Sequence, residues 1–374
     1  MMKGKMKYLL LAVLLMPLAC LEAASVRVGV LLPLKDATGR GTVMVEFYRG
    51  LLMAIEGAKE AGIDVDCYAV DCGSSDSQMK TVLERPELAH LDVIFGPLEA
   101  GQMTTLSEFC RSHRTRLVVP FNTPCPQVYS NPWVYQVGVV QELLYPGITN
   151  LVIDNLGQSN FVFYHSTEND ERGISFTSHL AQVLKLRGLR TTNLNAGGDE
   201  FAFDRALNQF RNNVVVIDSR SRASLSQMIG ALRAYQTTHP EYKISLLGYP
   251  EWLTYVSTML HDFYHFNTYV YSPYYRNPLS GRTVKFDQQY LRNFSQPSRV
   301  SYPRAEMLGY DLGQYFILGL ARHPDSFDEQ QPAPTDNFVQ HNFRFHRVGE
   351  QGGFVNTFVQ LVHYNSNNTI QTLK

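Results

Sequence analysis

The chain's 374 residues exceed the roughly 250–300 at which single hydrophobic cores stop growing, so two cores are expected. A hydrophobic content of 44% against 18% charged residues, with no long polar or Gly/Ser-rich tract, excludes a disordered chain. A formal net charge of −1 excludes the broad basic face that nucleic acid demands, and no internal repeat period stands out.

At the N-terminus, Lys3, Lys5 and Lys7 precede the apolar run 8–18, too short to span a bilayer comfortably and suited to a secretory h-region. Residues 1–23 therefore read as a signal peptide and the protein as exported. Cleavage after Ala23 leaves Leu21 and Ala23 where a signal peptidase wants them. A rival site is Cys20, preceded by Ala19, where cleavage leaves a thiol for lipid attachment, although Pro17 and Leu18 fit a lipoprotein box poorly. Loss of the leader removes three lysines and Glu22, leaving a more acidic chain.

Beyond Cys20 stand Cys67, Cys72, Cys110 and Cys125, which allow three pairings in an oxidising compartment. A Cys67–Cys72 bond is disfavoured, because their spacing along one strand puts them on opposite faces. The absence of a CxxC pair argues against zinc.

The first unit reads as a strand over 26–34, a helix over 43–61 stopped at Gly62, a strand over 64–71 and a helix over 76–86. The strand 92–97, a helix over 101–113 and the strand 116–121 follow. The basic run Arg111, His113, Arg114 and Arg116 reads as a solvated helix end. Near-continuous Val/Ile/Leu strands joined through helices predict a parallel sheet covered on both faces. After the Pro-rich connection 120–132 and Val137–Gly138 the pattern repeats: helix 141–156, strand 160–165, helix 171–187, strand 190–194, helix 202–210, strand 213–218, helix 222–236 and strand 243–249. From Thr268 the sequence turns aromatic and extended (TYVYSPYYR), then predicts helices over 283–294 and 304–322, with Pro303 at a helix start. The stretch 354–364 alternates as antiparallel edge strands do. The fold class is α/β, with two Rossmann-like doubly wound lobes.

VGVLLPL at the first strand, IFGPLE (94–99), VVPFNT (118–123), GYPEWLTY (248–255) and MLGYDLGQYFILGL (307–320) together resemble the type I periplasmic binding proteins, over about residues 26–364. Within that family the branched-chain amino-acid binders of ABC transporters are similar, and the Bacteroidales envelope members related to LysM-containing proteins more so; no LysM segment is read here. The resemblance implies two lobes joined by three crossovers, with a ligand in the cleft between them and closure about a hinge. It assigns 26–138 and 278–325 to lobe 1, and 139–277 and 326–374 to lobe 2. It also implies no enzymatic activity, no cofactor, and a small polar ligand such as an amino acid or short peptide. The expected protein partner is an ABC permease or, alternatively, an envelope protein, with peptidoglycan as another envelope target; membrane contact is expected only through a lipid anchor. One departure concerns the amino-acid grip: the family's serine after the Gly-Pro turn is replaced by Leu98, Glu99, Ala100 and Gly101, and only Thr123 of the next segment matches in type.

Ligands of open α/β sheets sit beyond the carboxyl ends of the strands, where helix N-termini offer free N–H groups. That rule selects Lys35, Asp36, Glu99, Asn122 and Thr123 in lobe 1, and His165, Ser166, Asp218, Ser219, Tyr249, Glu251 and Trp252 in lobe 2. Asp36, Ser166 and Ser219 are equally ordinary turn or N-cap residues. Glu251 beside Trp252 is the strongest candidate for holding an ammonium group against an aromatic wall, with a structural Trp252 as the alternative. Tyr269, Tyr271, Tyr274 and Tyr275 either line the cleft or belong to a core or edge strand. His261 and His265 share helical spacing, but HDFYH lacks the glutamate of a zincin helix; His341 and His346 point to opposite faces of a strand. No GxSxG elbow, Walker loop or GxGxxG fingerprint occurs.

Overall fold

The computed structural model describes residues 25–36, 38–138, 141–167, 175–331 and 338–374; the leader 1–23, with Cys20, lies outside them. Its first series is β1 (Ser25–Leu32), α1 (Gly39–Glu60), β2 (Asp64–Asp71), α2 (Asp76–Leu83), β3 (Val93–Phe95), α3 (Met103–His113), β4 (Arg116–Val119) and β5 (Val134–Gln136). The second is α4 (Gln141–Leu156), β6 (Asn160–His165), α5 (Phe176–Leu186), β7 (Thr191–Asn195), α6 (Ala202–Ala206), β8 (Asn213–Ile217), α7 (Arg222–Thr238), β9 (Ile244–Gly248), α8 (Val256–His265) and β10 (Thr268–Ser272). The chain ends with α9 (Gly281–Phe294), α10 (Ala305–Arg322), β11 (Phe345–Arg347), β12 (Phe354–Asn356), β13 (Gln360–Asn365) and β14 (Thr369–Leu373).

These strands form two seven-stranded sheets, ordered β11-β12-β5-β4-β3-β1-β2 and β14-β13-β10-β9-β8-β6-β7. In each, the strands laid down by the βα pattern are parallel, and antiparallel pairing is confined to the late strands at one edge. The near-identical orders follow from right-handed βαβ crossovers repeated in two half-chains. This is the two-lobed periplasmic binding protein type I fold. The chain passes between the sheets three times: after β5, between β10 and α9, and between β12 and β13. The last passage corrects the expected boundary. Phe345–Arg347 and Phe354–Asn356 pair in the first sheet, so only the chain from Gln360 onward joins the second, rather than everything after 325.

Local chemistry explains most element ends. Ser75 and Gln78 form a reciprocal capping box at α2, and Ser221 and Ser280 cap α7 and α9 through their hydroxyls. The expected helix over 202–210 stops at Ala206, because the buried Asn213 side chain accepts the Asn208 N–H at 2.7 Å and donates to the Asn208 carbonyl at 2.9 Å. β5 and α8 were not expected. β5 has only three residues, and the aromatic content of 256–265 hides a helical face. For the helix expected over 171–187, residues 171–174 lie outside the described chain.

Each sheet has its own core. One apolar cluster surrounds the second sheet, while two others cover the opposite faces of the first. On the first sheet α1 and α10 approach closely, since a Cβ on Gly50 would strike the Glu306 carbonyl and one on Gly309 the Phe47 carbonyl. Arg116 departs from its expected place. Arg111, His113 and Arg114 are exposed at the end of α3, but Arg116 opens β4, is buried, and donates to both oxygens of Asp328 at 3.0 and 2.8 Å. Tyr135 donates to the same carboxylate at 2.5 Å.

All four described cysteines are free thiols. Cys72, Cys110 and Cys125 belong to one apolar cluster, and burial raises every thiol, Cys67 and Cys125 to about 11 and Cys72 to about 12.

Candidate functional site

Between the two sheets, where all three crossovers converge, lies a cavity of about 340 Å³. The first sheet contributes Phe121 and Asn122 after β4, Val137 and Gly138 after β5, and Tyr302 and Pro303 before α10; the second contributes Pro250 and Glu251 after β9, and Tyr271, Pro273 and Tyr274 at and after β10. His341 and Asn356 close it from the returning chain, and Gln141 from the start of α4. Prolines and rings supply about half of the wall, with Asn122, Gln141, Glu251, Thr254, His341 and Asn356 as polar groups among them, the pattern of a small-molecule pocket.

Glu251 is the principal charge on this wall. Its Oε1 lies 3.8 Å from an Arg220 nitrogen, while its buried Oε2 has no hydrogen-bond partner among the described residues. Arg220 donates to Gln141 at 2.8 Å and lies over the Tyr249 ring. Burial first, and the Glu251 carboxylate second, push the Tyr274 hydroxyl up to about 12. An acceptor-only carboxylate beside tyrosine rings suits an amine donor of the ligand.

Of the twelve residues selected from strand ends, Asn122 and Glu251 line this cavity and the others do not. Lys35 and Asp36 border a separate recess with Glu46, Arg49 and Arg299. There Asp36 accepts the Thr38 N–H at 2.7 Å, and hydrogen bonding from the Thr38 side chain first, its backbone second and Arg40 after them holds the carboxyl below the usual range. Glu99 pairs with Arg40 at 2.8 Å. Thr123 donates to the Leu98 carbonyl at 2.8 Å and so fastens two strand-end loops together.

His165 and Asp218 border another recess, over the second sheet alone. Asp218 accepts from the backbone and hydroxyl of Ser166 at 2.9 and 2.8 Å and meets His165 Nδ1 at 3.1 Å, while His165 Nε2 lies 3.0 Å from the Asn193 side-chain oxygen. Among the described residues the Ser166 hydroxyl bonds to the aspartate, which is not the order a nucleophile relay needs. Ser219 is buried and accepts the Ser221 N–H. Tyr249 is buried and donates to the Ile217 carbonyl at 2.8 Å.

Trp252 corrects the aromatic-wall reading. Its ring is fully buried, stacks on Phe263 at 6.0 Å and fills the space that a Cβ on Gly248 would need. The aromatic wall is supplied instead by Tyr271, Tyr274 and Tyr302. Tyr269 stacks on His363, and Tyr275 faces a second cavity behind the crossovers. His261 and His265 bond to Arg233 and Gln236, and among the described residues no group of three or more His, Cys, Asp or Glu is arranged to hold a metal. Gln141, Tyr302, His341 and Asn356 were missed as cavity residues; the prolines 273 and 303 beside the tyrosines were the available signal.

No family model matches the chain, and no curated protein matches it. Solved structures do. A putative branched-chain amino acid ABC transporter from Rhodospirillum rubrum is similar with a TM-score of 0.62 at 14% identity, covering 93% of this chain and 100% of that one. An ABC-type branched-chain amino acid transporter from Rhodopseudomonas palustris is similar at 0.57 and 12% identity, covering 93% and 96%. A branched chain amino acid ABC transporter periplasmic ligand-binding protein from Burkholderia xenovorans is similar at 0.52 and 11% identity, covering 93% and 94%. At these identities the likeness is one of fold.

Proposed function

We propose that this chain is a non-enzymatic, extracytoplasmic ligand-binding protein of the ABC-transporter solute-binding type, which closes about its three crossovers on a small polar ligand, an amino acid or short peptide. The observation that carries this reading is Glu251, whose buried Oε2 lacks a partner in a ring-lined cavity between the two sheets. A ligand amine bound there gains contacts from both sheets only when they approach, and that differential contact is what shifts an open/closed equilibrium. Export through the leader 1–23, with or without a lipid on Cys20, places the cavity outside the cytoplasm.

The test is a thermal-shift screen of amino acids, short peptides and sugars on the leaderless protein. A stabilising shift with amine-bearing solutes that is lost in Glu251→Gln supports the reading; no shift with any compound overturns it. A second reading, an envelope protein that binds a protein partner or peptidoglycan without transport, is favoured by the Gly-Pro turn. There the resemblance expects a free serine hydroxyl, but this chain has Leu98 and a Glu99 already paired with Arg40. Stable recovery of an envelope component other than a permease, together with a silent screen, selects it.

A further inference from the structure

His341 is one of the cavity residues that neither strand-end position nor the resemblance selects, and its surroundings fix its chemistry. Asp311, fully buried on α10, accepts three consecutive backbone N–H groups: Val339 at 2.7 Å, Gln340 at 2.9 Å and His341 at 2.7 Å. The segment carrying the imidazole is thus tied to the longest-buried helix of the first sheet. The Gln340 side chain then pairs with the Arg304 backbone, its Oε1 accepting the N–H at 3.1 Å and its Nε2 donating to the carbonyl at 3.2 Å. This double bond to the backbone sets which end of the amide is which, and Nε2 is the end 3.2 Å from His341 Nδ1.

An amide N–H can only donate, so Nδ1 accepts and the neutral imidazole carries its proton on Nε2. Asp311 Oδ2, 3.7 Å from Nδ1, is too distant to take a proton from it. Among the described residues the hydrogen bonds of this ring end at Nδ1. The ring is held between Tyr274, 5.4 Å away, and Phe343, 6.3 Å away and parallel to within 2°. It lines the same cavity as Glu251.

We propose that His341 is a ligand-contacting residue of this cavity, donating its Nε2–H to a carboxylate or carbonyl oxygen of the solute whose amine meets Glu251, with Gln340 and Asp311 as positioning residues. The inference rests on the ligand-binding reading above and narrows it to solutes with both an amine and an oxygen acceptor. A simple amine leaves the His341 N–H without a partner, and a simple acid meets the Glu251 carboxylate with like charge.

The experiment is calorimetry with the standard L-amino acids, each compared with the amine left by its decarboxylation, on the wild-type protein and on His341→Phe, which keeps the ring stacking and removes the donor. The expected result is that an amino acid binds wild type about 10- to 100-fold more tightly than it binds His341→Phe, while its amine binds the two proteins equally. An amino acid that binds both proteins equally overturns the role of His341 and leaves the cavity's role intact. No binding of any amino acid to wild type overturns both. Nitrogen-15 spectra of labelled histidine supply a readout independent of ligand: the His341 signal, assigned by its loss in His341→Phe, is expected with the proton on Nε2, and Gln340→Leu is expected to release that preference. A proton found on Nδ1 in wild type overturns the positioning argument.

Discussion

Arg220 and Glu251 face each other across 3.8 Å at the edge of the cavity, close enough to attract and too far apart to hydrogen-bond. Because Arg220 is already engaged with Gln141 and the Tyr249 ring, the carboxylate keeps an oxygen for a ligand. Glu251→Gln is expected to weaken binding of amine-bearing solutes by about 10- to 100-fold, since it replaces a charged acceptor by a neutral one. Its thermal midpoint without ligand should not fall. Calorimetry and thermal melts on the same preparations check both statements.

Trp252→Ala should cost about 3–5 kcal/mol of stability, because it empties a fully enclosed site against Phe263 and Gly248. Urea unfolding measures that loss. Relative affinities within a ligand series should be unchanged in the variant, as expected of a core residue and not of a cavity wall.

The Arg116–Asp328 pair fastens β4 to the segment after α10 from inside the structure, with the Arg116 side chain 8% exposed. Asp328→Ala leaves the guanidinium buried without its partner and should destabilise the protein by about 3 kcal/mol in denaturant unfolding. The double variant Arg116→Met, Asp328→Leu should recover most of that loss.

His363 is buried and neutral by design of its neighbours. Its Nε2 donates to Asn267 at 2.8 Å, and its Nδ1 accepts from Gln371 at 3.0 Å. Burial lowers its pKa below the ordinary 6.5, so the unfolded chain takes up the proton more readily than the native one. The stability it contributes is complete above 6.5 and is lost as pH falls through the lower native value. Melting temperatures measured from pH 7 to 5 should decline, and His363→Gln should reduce the slope.

Burial holds the four described thiols well above the pH of ordinary labelling. Maleimide at pH 7.5 should leave Cys67, Cys72, Cys110 and Cys125 unmodified in the native protein and modify all four in denaturant, as read by mass spectrometry.

The fold was legible because apolar runs such as NVVVID (213–218), alternating with helical periods, encode a parallel sheet without help from distant residues. The cavity was less so. Strand-end reasoning located Asn122 and Glu251, but it also selected Thr123, Ser219 and Tyr249, whose polar atoms are spent on neighbouring backbone. For Thr123 and Tyr249 the choice between ligand and loop is decided by contacts 25 and 32 positions away in sequence, and for Ser219 by a turn bond to Ser221. His341 lay beyond local reasoning for the same reason, since Asp311 and Arg304, which orient it, stand 30 and more positions earlier.

The passage from Asn356 to Gln360 bears on how the molecule can be made at all. Because β11 and β12 finish the first sheet only after the whole second series has been laid down, and β13 and β14 then return to flank β10, neither half corresponds to an uninterrupted stretch of polypeptide. A fragment cut after α10 would carry both sheets, each with a bare border, so the two halves must mature together once the C-terminal residues have emerged.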